Sequence, residues 1–139
     1  MIENYYFSNF RKTSYMNTKT AAIIFGLAFL AVGALGFIDN PIVGESADAI
    51  FHADQAHNIV HLVSGALFLL VAFAAPAATA GFLKLFGIVY LGLGIWGLVE
   101  IGDASMATLL GFLHVNANDN YLHIGLGALI LLAGFLRKS

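Results

Sequence analysis

Four apolar stretches, Thr20–Ile38, His57–Ala75, Phe82–Val99 and Tyr121–Leu136, take up most of the sequence, and apart from Lys84 none holds a lysine, arginine or acid. A helix needs about 20 apolar residues, rising about 1.5 Å each, to cross about 30 Å of hydrocarbon. The first three stretches meet that length. The fourth does so only if its helix begins earlier, near Ala117. Apolar residues make up 60% of the chain and charged ones 10%, against about 25% charged in soluble domains. So few charges cannot coat a water-facing surface, and the expectation is an integral membrane protein with the lipid bilayer as its partner.

The basic residues set an orientation. Arg11, Lys12 and Lys19 precede the first stretch, Lys84 follows the turn at Pro76–Gly81, and Arg137 and Lys138 end the chain. All fall on one side of the proposed crossings, which the positive-inside rule makes cytoplasmic, with both termini inside. Asp39, Glu45, Asp48, Asp54, Glu100, Asp103 and Asp119 fall on the other side. Met1–Tyr15 is polar and aromatic, which suits an interfacial anchor, or else it lies upstream of a start at Met16. A net charge of −2 gives no reason to expect nucleic acid. The absence of cysteine removes disulfides, thiolate metal sites and a cysteine nucleophile.

The two halves of the chain align with each other. At an offset of 61, Phe25, Gly26, Leu30, Gly33 and Gly36 overlay Phe86, Gly87, Leu91, Gly94 and Gly97, and Asp39 overlays Glu100. At an offset of 62, His52, Asn58, His61 and Gly65 overlay His114, Asn120, His123 and Gly127, with His57 over Asp119. Paired histidines and asparagines in register are hard to obtain from composition alone. The expected fold is therefore all-α: a four-helix transmembrane bundle of two tandem parallel helix–loop–helix repeats, 20–80 and 81–139, after an N-terminal segment 1–19. The repeat also makes the first stretch the counterpart of the third rather than a signal peptide. Gly26, Gly33, Gly36, Gly65, Gly87, Gly94, Gly97 and Gly127 read as helix-packing positions, because small residues let membrane helices approach closely. Here they are expected to bury one copy against the other.

His57, His61 and Gly65 are four apart and share one helix face, as do Asp119, His123 and Gly127. If the second and fourth helices face each other, His57, His61, Asp119 and His123 converge near the outer surface. Asp39, Glu100, Asn58, Asn120, His52 and His114 form an outer shell. Asn58 and Asn120 read as helix N-caps or as hydrogen-bonding partners between helices. Ionisable groups placed at such depth point to function. Three readings stay open: a hydrogen-bonded structural cap; a transition-metal site, or a b-type haem held by His61 and His123; and a proton- or pH-responsive element. Haem asks for wide helix separation, whereas glycine stripes favour close approach, which puts a metal ion ahead. The outer loops, Asp39–Ala56 and Ile101–Asn118, are expected to roof the cluster, with Ala107–Val115 as a short apolar helix. Tyr121 and Trp96 suit the outer interface.

No catalytic machinery is evident. No serine sits in a nucleophile-elbow context, and Gly92-x-Gly94-x-x-Gly97 lies inside an apolar helix with no strand before it. The segments His57-Asn58-x-x-His61-Leu62-x-x-Gly65 and Asp119-Asn120-x-x-His123-x-x-x-Gly127, with Gly33-x-x-Gly36-Phe37, resemble a bacterial family of four-helix membrane proteins classed as a domain of unknown function (DUF4383-like). The resemblance spans most of Thr20–Phe135. It implies the fold and a bacterial inner-membrane address, and carries no activity, substrate or cofactor. The leading expectation is a non-enzymatic membrane protein, structural or an accessory subunit, alone, as a homo-oligomer or in a larger membrane complex. Its rival is a metal- or haem-binding protein in redox or metal handling, and a small transporter comes third.

Overall fold

A computed structural model of the chain describes residues 16–46 and 48–136. The expectations for Met1–Tyr15, and the basic residues Arg11, Lys12, Arg137 and Lys138, lie outside the described residues. The described chain is mostly helical. Helix α1 (Thr18–Leu35) is followed by two short strands, β1 (Val43–Gly44) and β2 (Phe51–His52), and by α2 (Gln55–Ala74). A 3-10 turn at Pro76–Ala78 leads into α3 (Thr79–Ile101), strands β3 (Met106–Leu109) and β4 (Leu113–Asn116), and α4 (Ala117–Ala133).

Each helix is apolar on nearly all sides, so neither amphipathicity nor surface charge limits it. Their outward residues are large and exposed: Ile24, Leu27, Leu70, Phe73, Leu85, Ile88, Val99, Leu129 and Leu132. In water such flanks would be an aggregation liability. In hydrocarbon they are the favoured surface. Three segments, Thr18–Leu35, Gln55–Ala74 and Pro76–Ile101, are long and apolar enough to cross a membrane. Helix α4 does begin at Ala117, but its 17 residues rise only about 26 Å, short of the full hydrocarbon thickness.

The helices form two antiparallel hairpins. In the first, Gly26 meets Gly65 and Leu69, while Gly33 meets the backbone of Asn58 and Leu62. In the second, Gly87 meets Leu131 and Gly94 meets the backbone of Asn120 and Ile124. The glycines thus close each hairpin on itself rather than burying one half of the chain against the other, as the sequence had led us to expect. The reason is polar. Asn58 and Asn120 are 1% and 0% exposed, and their carboxamide oxygens lie where a Cβ on Gly36 and on Gly97 would stand. Each oxygen therefore rests against a glycine Cα, a position that only a residue without a side chain leaves open. The Asn120 amide donates to Asn116 O at 3.0 Å, and the Asn58 amide reaches Ala53 O at 3.4 Å. Neither asparagine is an N-cap. Asp54 and Asn116 hold those positions.

Between the hairpins lies an aromatic seam. Phe68 is fully buried, with ring centroids 5.4 Å from Phe29 and 4.9 Å from both Phe82 and Phe86, and Phe29 lies 5.0 Å from Tyr90. At one end the buried hydroxyls of Thr79 and Thr18 are hydrogen-bonded to each other at 2.8 Å. At this same end Lys19 and Lys84 stand over Phe73 and Phe135 at 5.4 and 4.0 Å, so that cations inside apolar sequence find a π face. The opposite end carries the loops. The segment expected as a helix, Ala107–Val115, is instead a β-hairpin with Leu109 paired to Leu113. Leu109, Leu113 and Val115 point inward while Thr108 and His114 point outward, a period of two that belongs to a strand. Leu110 and Gly111 both take positive φ, 54° and 79°, and Phe112 N donates to Leu109 O at 3.2 Å. With Leu109 opposite Leu113, three residues make the hairpin loop, two of them in the left-handed region.

Gly36→Ala and Gly97→Ala each drive a methyl into a buried carboxamide. Each should cost about 1–3 kcal/mol, as overpacking does. Gly92→Ala, at a position with open space around it, should be neutral or slightly stabilising. Equilibrium unfolding of the three variants in detergent micelles checks this; equal stabilities would remove the asparagine–glycine seat as a determinant of the fold.

Candidate metal centre

The local sequence sets each histidine's place. Asp54 begins α2 by accepting from His57 N at 2.8 Å, which satisfies an otherwise orphaned helix donor. From that start, His57, His61, Ser64, Gly65 and Phe68 fall on the buried face of α2. Helix α4 opens with a capping box: Asp119 N donates to Asn116 Oδ1 at 2.9 Å and Asn116 N donates to Asp119 Oδ2 at 2.7 Å. His123 and Gly127 follow on its buried side.

Three imidazoles meet. His57, His61 and His123 each offer a ring nitrogen within 4.8 Å of the others. They are 3%, 8% and 7% exposed, with ring centroids 4.7, 5.7 and 6.3 Å apart for the pairs 57–61, 57–123 and 61–123. Aromatic rings wall the cluster on its inner side, Phe29 at 5.7 Å from His61 and Tyr90 at 5.4 Å from His123. On its outer side the β4 carbonyl of His114 lies 3.3 Å from His57 Nδ1. With a proton on Nδ1, His57 donates to that carbonyl and its Nε2 lone pair is left free. His61 Nδ1 and His123 Nδ1 are buried with no hydrogen-bond partner. An unsatisfied buried polar atom typically costs about 1–3 kcal/mol; the Asn58 and Asn120 oxygens share that state against their glycines, but on rings that already converge it calls for a ligand or a function.

The other expected site residues scatter. Asp119 is 3% exposed, but its Oδ2 is occupied by Asn116 N and by His52 N at 3.1 Å, and it is not part of the imidazole group. Asp39 is exposed and lines a separate outer pocket with Glu45, Gln55 and Asn58. Glu100, also exposed, accepts from Trp96 Nε1 at 2.9 Å. His52 and His114 lie in the roof, their ring centroids 6.4 Å apart.

The roof locks the two hairpins together. Besides His52 to Asp119, Asn116 and Asn118 both donate to Ile50 O, at 3.1 and 3.0 Å, and His114 Nδ1 bonds Asp54 Oδ2. Burial works against the Asp54 charge, but the His57 backbone N–H and the His114 ring outweigh it and hold this carboxyl below the usual carboxylate range. Asn40 ties the end of α1 to β1, donating to Leu35 O and Val43 O and accepting from Ile42 N and Val43 N. Sequence reasoning passed over Tyr90, Asp54 and Asn40. Tyr90 carried a signal, as a polar tip in mid-stretch. Asp54 carried one too: a carboxylate three residues before His57 suits a helix N-cap.

A family model described as a domain of unknown function, DUF4383, matches residues 19–136. No curated protein and no solved structure matches the chain.

Because folding lowers the Asp54 pKa, its contribution is in place above the unfolded value and fades as pH falls through the folded one. Asp54→Asn, which can still cap the helix, should lower the melting temperature by roughly 2–6 °C at neutral pH. The gap to the unsubstituted protein should close in acid, below the usual carboxylate range. Thermal scans by circular dichroism across pH read this directly; a gap that persists into strong acid would show that the charge is not what holds the roof.

Proposed function

The chain belongs to the DUF4383 family, a name that assigns no activity, and from that premise we propose that it is a membrane protein whose outer face holds a transition-metal ion on His57, His61 and His123. The observation that carries this is the convergence of three buried imidazoles, two of them with a ring nitrogen to spare. Imidazole suits zinc, copper, iron and nickel. Three protein ligands and one open position is the usual arrangement of a zinc site that meets a second molecule. A tetrahedral ion at about 2.0–2.1 Å from each nitrogen sets the nitrogens about 3.4 Å apart. Spacings up to 4.8 Å close to that value by side-chain rotation. The His57–His114 contact is the kind of outer hydrogen bond that fixes a ligand's tautomer. When bound, the ion supplies Lewis acidity or electron exchange; the chain orients it and keeps bulk water off it.

An ion is favoured over haem. The glycines do not bear on haem, since they close the hairpins individually. His57 takes its place: its ring lies too near both His61 and His123 for a macrocycle to pass between them. The reading also takes α4 as a fourth crossing, so that the four helices form one transmembrane bundle. The basic end faces the cytoplasm, and the histidines lie on the far side. The two hairpins are copies of one unit. In support, Thr18 pairs with Thr79, and the Gly36–Asn58 seat has a counterpart in Gly97–Asn120. The role is that of a metal-holding or accessory protein in the bilayer.

Elemental analysis of the full chain purified without chelator, beside His61→Ala with His123→Ala, tests the proposal. The unsubstituted protein should carry close to one equivalent of zinc, copper or iron, or take up added zinc at micromolar concentration or below. The double variant should lose at least 100-fold in affinity. Binding should weaken as pH falls, since protons compete for the ring nitrogens. Equally low metal in both proteins, with a lower melting temperature in the variant, would make the cluster a structural cap.

A further inference from the structure

The histidines are shut off from water by the roof but not from the side. A cavity of about 160 Å³ opens between α1 and α4, and its wall includes Ala28, Phe29, Val32 and Leu122 together with the rings of His61 and His123. Apart from those two imidazoles the wall is apolar. Ala28 and Leu122 are exposed at its mouth, Val32 is half-buried, and Phe29 is buried at its base. The mouth lies on a flank whose other residues are the large apolar side chains that suit hydrocarbon. Toward the loops, Leu113 and Val115 are buried, and the His114 carbonyl sits over His57. A molecule coming from water meets the roof, whereas one dissolved in lipid meets an opening.

We propose that this cavity is a side entrance from the bilayer, and that a small uncharged molecule, no larger than roughly a benzene ring, binds there against His61 and His123. An apolar cavity of about 150 Å³ is large enough to take benzene or xenon and stays free of water. The size fits, and so does the chemistry: no charged group lines the space, so an ion has nothing to pair with on the way in. The guest's role as the molecule that meets the metal rests on the metal reading. The entrance itself is a separate claim about the wall.

Crystals of the full chain grown in a lipid mesophase and pressurised with xenon test it, zinc-soaked and zinc-free. The expected result is a strong anomalous peak between Phe29, Leu122 and the two imidazoles in both. Ala28→Phe and Val32→Phe, which place a ring at the mouth, should cut xenon occupancy at least tenfold while zinc uptake is retained. No peak in the cavity of the unsubstituted protein, or an undiminished one in both variants, would overturn the proposal. A xenon peak in a protein that takes up no zinc would count against the metal reading alone and leave the entrance standing.

Discussion

Two carboxamides resting on glycines fix most of what this protein is. A buried polar side chain is cut off from water, so Asn58 and Asn120, 1% and 0% exposed, depend on what the protein sets around them. Each amide bonds a carbonyl just ahead of its own helix, Ala53 O or Asn116 O, while each oxygen, without a hydrogen-bond partner, lies on the Cα of Gly36 or Gly97 across the hairpin. The contact has one geometry. It sets how far α2 slides along α1 and how it is turned, and does the same for α4 against α3. His61 and His123 each follow their asparagine by three residues, so the contact that seats the asparagine also turns the histidine inward.

Closing each hairpin on small residues leaves the space between hairpins to large ones. Phe29, Phe68, Phe86 and Tyr90 fill the seam, and the histidines continue it toward the loops. The division is physical. Backbones that touch at Gly26 and Gly65 gain dispersion over a long contact, but such a contact has no room for imidazoles. The seam between hairpins has that room. The cavity beside His61 and His123 opens along that seam, between α1 and α4.

The roof does for the outer end what the asparagines do for the middle. Loop backbone that would otherwise be free is held by side chains from the other hairpin: Ile50 O by Asn116 and Asn118, and His52 N by Asp119. Asp119 was a natural candidate ligand on sequence grounds, since it overlays His57. In the fold its carboxylate serves two backbone amides. The acids Asp39 and Glu100 align with each other in sequence, yet both remain at the surface. An acid's position along a helix can be read from the sequence; the direction of its side chain, and what competes for its oxygens, cannot.

Local pattern was enough for the number of helices, their approximate ends, the start of α4 near Ala117 and the shared face of His57 and His61, because hydropathy and a 3.6-residue period are properties of consecutive residues. It misled at Ala107–Val115, where a short apolar run hid a period of two and a turn at Leu110–Gly111. It also misassigned the partners of the glycines, since a small residue announces a close approach without naming the neighbour. Which histidines meet, which acids stay away, and where the cluster opens were decided by contacts between residues about 20 to 70 positions apart. Those depend on the rotation of one helix against another, a quantity no single stretch of sequence contains.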